Sequence, residues 1–465
     1  MTQTDTIAAI ATPLGTAGLG IIRVSGPMAS EMGQLLFRPH HQNCTWQSHH
    51  LYHGDIVADD GATLLDEVLV TLMRKPHSFT GEDVLEISCH GNPLILQTIL
   101  EQLIILGCRP ARPGEFSQRA YLNGRMDLSQ AEALASMISA QSSKALKIGL
   151  AQMKGSLGRE INSIRTMVID ALAGIEAAID FTEDVSGHET TACPPQIHEA
   201  MACINRLLST YRQGRLFTKG IQITITGKPN VGKSSLLNSL IGRKKAIVTN
   251  IPGTTRDLIT ETIQLDGVNV HLTDTAGIRA PMDAIEKEGI DLVREKLEEA
   301  DVIVIVLDGS APLTDEDLQI LQENQKCIDR IIIAVNKSDL PPAWETGQLL
   351  RQPGAAGPIS NNHLLKISAK FGDGLDALKK ALTNLTDSCE TTGDDSMITQ
   401  LRHKLSLEKA LDRLMAADKC ISTGQSPEFA AFELHEALEA LDEITGRKIQ
   451  DDVLHKIFSS FCIGK

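Results

Sequence analysis

Nine cysteines occur in the chain, an odd and scattered set with no Cys-x-x-Cys pair among them. That spacing argues against both a disulfide framework and a cysteine-built structural zinc site, and it suits a reducing compartment. Long hydrophobic runs are absent too. No apolar stretch approaches the roughly 20 residues that span a bilayer, so no membrane association is expected. The opening MTQTDTIAAIATP has no basic region and sets Asp5 ahead of its short apolar run, which does not fit a secretory signal peptide. A cytoplasmic protein is expected. Positive charge is also scarce: 44 Lys and Arg against 59 Asp and Glu leave a net charge of −15. Phosphate backbones must be neutralised by cations, so broad non-specific nucleic-acid binding is not expected, and any RNA contact needs a local basic patch or a basic partner.

What the chain does have is apolar mass. With 465 residues of which 42% are hydrophobic, it is too long for one core and predicts about three domains. Between Ile221 and Thr383, IQITITG, VHLTDTAG, DVIVIVLDGS, RIIIAVNKSD and HLLKISAK are short β-branched runs, each followed by loop and helical period. Near-continuous apolar strands of this kind predict a mostly parallel sheet buried on both faces. Asp127 to Phe181 reads as long helix, with a capping box of Ser129 and Glu132 at its start and a break at Gly155 and Gly158. Another helix follows the polar loop TEDVSGHETTACPPQ. Helical pattern returns beyond CETTGDDS, where Ser426-Pro427-Glu428 starts a helix that Gly446 stops. The α/β segment therefore reads as inserted into a helical domain. The first 120 residues are mixed α and β; the loop PLGTAGLG joins two strands, so its Gly-x-Gly lacks the helix that a dinucleotide fingerprint requires.

GKPNVGKSS after IQITIT meets the full G-x-x-x-x-G-K-[ST] pattern between a strand and a helix. Gly227 and Gly232 let the backbone wrap phosphates, with Asn230, Val231 and Ser235 in the same loop and first turn. Lys233 reaches the β and γ oxygens, and Ser234 ligates magnesium. Downstream, the stretch Thr249, Asn250, Ile251, Pro252, Gly253, Thr254, Thr255 is the expected first switch, with Thr255 completing the magnesium shell. Asp274, Thr275, Ala276 and Gly277 are the expected γ-phosphate sensor. Asn336, Lys337, Ser338 and Asp339 select the base: the Asp339 carboxylate accepts N1–H and the exocyclic amine of guanine, which adenine does not offer in that place. Ser368, Ala369 and Lys370 supply a backbone N–H to the guanine oxygen. Four motifs in order and at the right spacing predict GTP as ligand.

One position breaks the pattern. Ile278 stands where Ras-type enzymes carry the glutamine that orients the attacking water. Asp283, Glu286 and Glu288 are candidate replacements, Arg256 or Arg279 is a candidate arginine finger in cis, and Asn230 is a candidate ligand for a monovalent ion. Spacing alone leaves these alternatives open.

DTIAAIATP, GIIRVSG, FTGEDVLEISCHG, RPGEFSQRAYLNGRMDLSQAEA, PGTTRD within the inserted segment and the terminal FSSFCIGK together resemble the MnmE (TrmE) family of tRNA modification GTPases over essentially the whole length. The resemblance implies a multidomain α+β and α/β fold: an N-terminal mixed α/β folate-binding and dimerisation domain at 1–120, a helical domain at 121–218 and 385–465, and an inserted P-loop GTPase domain at 219–384. It implies a homodimer, and a potassium ion on Asn230, Thr249, Ile251 and Thr254 in place of an arginine finger. It implies Glu286 as the water-positioning group. The implied reaction adds an aminomethyl-type group, such as carboxymethylaminomethyl, to C5 of the wobble uridine of certain tRNAs. The implied partner is MnmG, an FAD-binding protein that joins it in a heterotetramer, and the implied one-carbon source is a tetrahydrofolate derivative of 5-formyl or 5,10-methylene type. The matching folate contacts are Arg23, Glu86, Arg125 and Lys465. Asn92 stands where the family usually has a glycine, and Arg125 where a lysine is common.

Cys462 sits four residues from the terminus, formally a C-a-a-X pattern, but Gly464 is not aliphatic and no polybasic run precedes it, so prenylation is not expected. Two readings remain: a buried cysteine packed beside Phe458 and Phe461, or a catalytic thiol on a tail that reaches the folate site. We take the second as the expectation. A ribosome-assembly or regulatory GTPase is the alternative function; it predicts a basic RNA-binding domain after the nucleotide domain, where this chain is helical and acidic.

Overall fold

The computed structural model describes residues 5–41, 45–180, 193–242, 260–265, 268–274, 300–324, 330–345, 364–384 and 396–465. They divide into two compact units, one of Met1–Ile138, Leu150–Asn205 and Arg402–Lys465, the other of Ser139–Gly149 and Arg206–Leu401.

The first unit opens with β1 (Ile7–Ile10), β2 (Ala17–Ser25), β3 (Phe37–Pro39), β4 (Leu51–Val57), β5 (Leu64–Met73), β6 (Val84–Gly91) and β7 (Arg109–Pro110). They form one sheet in the order β3-β4-β5-β6-β2-β1-β7. All pairs are antiparallel except β1 with β7. Alternation along each strand buries one face: Ile22 and Val24 of β2, Val68, Val70 and Leu72 of β5, and Leu85, Ile87 and Cys89 of β6 pack against Met32, Leu36, Leu96, Ile99 and Leu103. The last five come from the helices Ala29–Leu36 and Pro93–Ile105. The opposite face carries polar groups such as Arg23, Glu67 and Glu86, and at β1 buries Ile7 and Ala9 with Ala111 and Phe116. The connection from β1 to β2 is strand to strand as expected, but only the first half of PLGTAGLG is loop, since AGLG already belongs to β2. Asn92, the family departure, is the N-cap of Pro93–Ile105: its side-chain oxygen accepts from Leu94 N at 2.9 Å.

The long helix expected from Asp127 is three helices, Leu128–Ile138, Ser143–Met153 and Ser156–Asp180. The Gly155 break is present, with Gly155 at φ +80°, but a second interruption at residues 139–142 has no glycine or proline to announce it. The capping box is also displaced. Asp127 caps the helix, accepting from Gln130 N at 2.9 Å while Gln130 Oε1 accepts from Asp127 N at 2.9 Å. Ser129 donates to Asp127 at 2.7 Å, and Glu132 is turned away to Arg402 and His403. Pro427–Thr445 begins with proline in its first turn after Ser426 and ends at Gly446, φ +82°, as its sequence predicts.

The second unit holds β8 (Ile221–Thr226), β9 (Thr260–Leu265), β10 (Val268–Asp274), β11 (Val302–Asp308), β12 (Ile331–Asn336) and β13 (Leu364–Lys366). The order is β13-β12-β11-β8-β10-β9, parallel throughout except for β9 against β10. Every residue of β12 is buried, as are six of the seven in β11, which is why those strands read as unbroken apolar runs. Edge strand β9, TETIQL, alternates with polar residues and is a strand that the apolar-run criterion does not single out. From β8 the sheet extends to β11 on one side and β10 on the other, so a crevice opens at the carboxyl ends of the parallel strands, where α/β sheets bind ligands.

Candidate functional site

The loop after β8 is shaped for close backbone approach. Gly227 has φ +149°, and a Cβ there would lie 2.4 Å from the Val306 carbonyl oxygen. Gly232 has φ +98°, and a Cβ would lie 2.2 Å from Asn336 Nδ2. Asn230 takes the left-handed conformation, φ +64°, at the turn between them. Val231 is buried beneath the loop. Lys233 curls back under it, its ammonium donating to the carbonyls of Gly227 and Lys228 at 2.8 Å each. The helix Lys233–Ile241 begins at Gly232 with no side-chain cap, and Ser234 and Ser235 stand exposed in its first turn. Uncapped N–H groups, a positive dipole end and a lysine at one helix start form a ready anion cradle.

Asn336, at the end of β12, does more than frame a ring. Its buried amide donates to Val231 O at 2.8 Å and accepts from Ala369 N at 2.9 Å, so one side chain joins the phosphate loop to the Ser368–Lys370 loop. Ser368 Oγ donates to Asp339 Oδ1 at 2.7 Å and Ser338 N donates to Ile367 O at 3.0 Å, fixing the Asp339 carboxylate and its segment. Lys337 is left-handed at φ +64° and its ammonium meets Asp308 at 2.6 Å. Burial alone would raise the Asp308 carboxyl, but the bonds from Lys337 and Ser310 hold it below the usual range. Ser239 donates to the Ala369 carbonyl at 2.5 Å. Lys370 is exposed, its ammonium 5.0 Å from the Phe371 ring centre. The structure thus brings the phosphate loop, the Asn336–Asp339 segment and the Ser368–Lys370 segment together at the carboxyl ends of the parallel strands. Asp274 ends β10 beside Ile225 of β8, which places its backbone at the same end. Thr249, Asn250, Ile251, Pro252, Gly253, Thr254, Thr255, Thr275, Ala276, Gly277 and Glu286 lie outside the described residues, as do Arg256, Ile278, Arg279, Asp283 and Glu288.

Two supports escape the motif reading. Asp308 closes β11, and the signal for it is a charged residue ending an otherwise apolar strand. Lys228 ion-pairs with Asp317 at 2.6 Å and donates to Thr314 Oγ1 at 3.3 Å, tying the phosphate loop to the start of the helix Asp315–Glu323.

A second cluster lies on the polar face of the first unit's sheet. Arg23 of β2 and Glu86 of β6 are partners in register, with Nε donating to Oε1 at 2.8 Å. Arg23 also donates to the Gly464 carbonyl at 3.1 Å. Its guanidinium lies 5.5 Å from the Phe79 ring centre and 5.8 Å from that of Phe116. Gly464, φ +89°, sits so close to β1 that a Cβ would lie 2.7 Å from both Ala11 Cα and Ile10 O. The tail is anchored by buried Phe458 and Phe461, by Gly114 N donating to Cys462 O at 3.4 Å, and by Lys465 N donating to the same carbonyl at 3.3 Å. Cys462 itself is exposed, so the packed-cysteine reading does not hold. Arg125 is exposed, its Cγ 3.3 Å from where a Cβ on Gly81 would stand, beside the turn that Asn123 fastens through Thr80 O at 2.7 Å. Phe79, Phe116 and Gly464 lie within FTGEDVLEISCHG, RPGEFSQRAYLNGRMDLSQAEA and FSSFCIGK, but no spacing in those stretches singles them out for this cluster.

Behind this cluster the helix Glu115–Leu122 is fixed by charge. Arg119 is buried at 1% exposure and reaches Asp5 at 2.8 Å, Glu82 at 3.1 Å and Glu115 at 3.2 Å. Burial would raise the Glu115 carboxyl, but the hydrogen bonds from Arg109 and the Arg112 backbone, with Arg119 added, hold it below its ordinary range.

Residues 6–125 match the family model described as GTP-binding protein TrmE N-terminus, and residues 128–462 match that of the MnmE helical domain. A protein named tRNA modification GTPase MnmE from Syntrophus aciditrophicus is 45% identical over 464 residues, covering 99% of each chain. Proteins of the same name from Carboxydothermus hydrogenoformans and Chloroflexus aurantiacus are each 43% identical over 469 residues, with 99% of this chain covered. With both family models matched and relatives aligned from end to end, the chain belongs to the MnmE family of tRNA modification GTPases.

Proposed function

We propose that the chain hydrolyses GTP and couples hydrolysis to modification of C5 of the wobble uridine in tRNA, working as a homodimer with an FAD-binding MnmG partner. The observation that carries the nucleotide part is the Asn336 side chain: bonded to Val231 and to Ala369, it sets the phosphate cradle and the guanine-selecting Asp339–Ser368 pair in one frame. Lys233 would reach the phosphates, and Gly232 would let the backbone approach them closely. Ser234 and Thr255 would hold magnesium, and Asn230, Thr249, Ile251 and Thr254 potassium; cations there neutralise charge that develops on the transferring phosphoryl group. Asn230, left-handed and exposed at the turn of the loop, is suitably placed for the second of these. Glu286 would position the water that Ile278 cannot.

Arg23, Glu86, Arg125 and Lys465 would hold a tetrahydrofolate derivative, which supplies a one-carbon unit when bound. The donor set fits: a carboxylate for the N–H groups of a pterin, aromatic rings of Phe79 and Phe116 beside it, and cations for the glutamate tail. Cys462, exposed on the adjacent tail, would act in the modification step. Nucleoside analysis of tRNA from a deletion strain tests the proposal. Loss of the modified wobble uridine, restored by this chain and not by its Glu286→Ala variant, is expected; an unchanged nucleoside profile in the deletion would refute it.

A further inference from the structure

The polar face of the first sheet carries a second group of titratable side chains, at the β3 edge. His53 and Asp55 are two apart on β4 and therefore project to the same side. Asp55 is in register with Glu67 of β5, and His40, one residue past β3, donates its backbone N–H to the His53 carbonyl at 3.1 Å. Three neighbouring strands thus bring their side chains to one spot. His40 Nε2 is 3.0 Å from Asp55 Oδ1 and His53 Nε2 is 2.7 Å from Glu67 Oε1. The two imidazoles meet edge to face with ring centres 4.6 Å apart. One ligand atom from each of His40, His53 and Glu67 lies within 4.8 Å of the other two.

We propose that this cluster binds a divalent transition-metal ion of the zinc class through His40, His53 and Glu67, with Asp55 orienting the His40 ring and water completing the shell. Two imidazoles with a carboxylate are a donor set suited to such ions, and a carboxylate bonded to a ligand histidine is their usual outer support. Ligands at about 2.0–2.1 Å from a tetrahedral ion stand about 3.3 Å from one another, so the His53–Glu67 contact of 2.7 Å opens slightly and the wider separations close, by small rotations of exposed side chains. The carboxylates are also not spoken for by other cations. Arg38, in register with Asp55, turns its guanidinium to the carbonyls of Gln34, Leu35 and Phe37, and among the described residues the ion pairs of Asp55 and Glu67 are with these histidines. A bound ion would fasten edge strand β3 to β4 and β5. The cysteine spacing that argues against a thiolate zinc site has no bearing on it.

The test is titration of the full chain, carrying no polyhistidine tag, with zinc by calorimetry and with cobalt by visible absorption. We expect the His40→Ala/His53→Ala double variant to lose one molar equivalent of zinc, and Asp55→Asn to bind about 10- to 100-fold more weakly, the range for lost outer support. The cobalt d–d bands should disappear in the double variant while showing no sulfur charge-transfer in the wild type. That last feature separates the site from the Cys193, His198 and Asp418 group elsewhere in the chain. Equal zinc stoichiometry and affinity in wild type and double variant would overturn the proposal, as would a wild-type cobalt spectrum dominated by sulfur. His40, His53 and Glu67 are exposed and Asp55 is half-buried, so circular dichroism of the variants should match the parent.

Discussion

Asp339 is the residue proposed to read guanine, and Ser368, fully buried, holds its carboxylate at 2.7 Å. Asp339→Asn replaces an acceptor by a donor at the exocyclic amine, so preference should move from GTP to XTP; competition binding with the two nucleotides reads it. Unaltered GTP affinity with no gain for XTP would remove Asp339 from the base site. Asn230 carries a second expectation at this scale. If its side chain helps select an ion by size, turnover should be much faster in potassium than in sodium at equal ionic strength, and Asn230→Ala should erase the difference. Equal rates in both salts would return attention to Arg256 and Arg279. The placement of the described motifs is the most legible part of the sequence, because each follows directly on a strand and carries particular residue types at fixed spacing. The supports are less legible. Asp308 and Lys228 act through partners 29 and 89 positions away, distances over which no spacing rule runs.

Among elements, the helices Leu128–Ile138 and Leu401–Ser422 are joined by Glu132, which accepts from Arg402 at 2.8 Å and pairs with His403 at 2.7 Å. Burial pushes the Glu132 carboxyl up, but the charge and hydrogen bond of His403, and then Arg402, bring it from 4.5 down to about 2. A carboxylate lowered in the folded state stabilises it fully above about pH 4.5, and that contribution disappears as pH falls through about 2. The shift corresponds to on the order of 3 kcal/mol. Urea unfolding followed by helical circular dichroism should show this fall in the wild type, and Glu132→Gln should be less stable at pH 7 and lack that part of the acid dependence. Matching acid profiles would reduce the pair to a bystander. The sequence places Glu132 in a capping box, because Ser-x-x-Glu has the right form, yet Asp127 lies two residues before Ser129 and is the stronger cap. Local pattern cannot know that Arg402 and His403 come from 270 residues away. For the same reason periodicity runs straight through residues 139–142. Strand periodicity succeeds for β11 and β12, buried on both faces, and fails for β9, whose polar edge gives no apolar run.

For the whole molecule, the two candidate sites belong to different compact units, and their variants should separate. Arg23→Ala and Glu86→Ala should abolish tetrahydrofolate binding, measured by calorimetry, and leave GTP hydrolysis near normal; full folate binding in both would refute the site. Cys462→Ser should keep folding, hydrolysis and dimerisation and lose tRNA modification, and a variant that modifies tRNA at the parent rate would reduce the thiol to an exposed bystander. The Arg23 bond to the Gly464 carbonyl joins residues 441 apart in sequence. At about 5–20 residues per second of synthesis, residue 464 is added roughly 20 to 90 s after residue 23. A ribosome-held chain arrested before residue 402 should therefore show the sheet but bind folate poorly, which fluorescence anisotropy of a labelled folate can measure. During translation the cluster begun at Arg23 gains its Gly464 contact only after 441 further residues have been added.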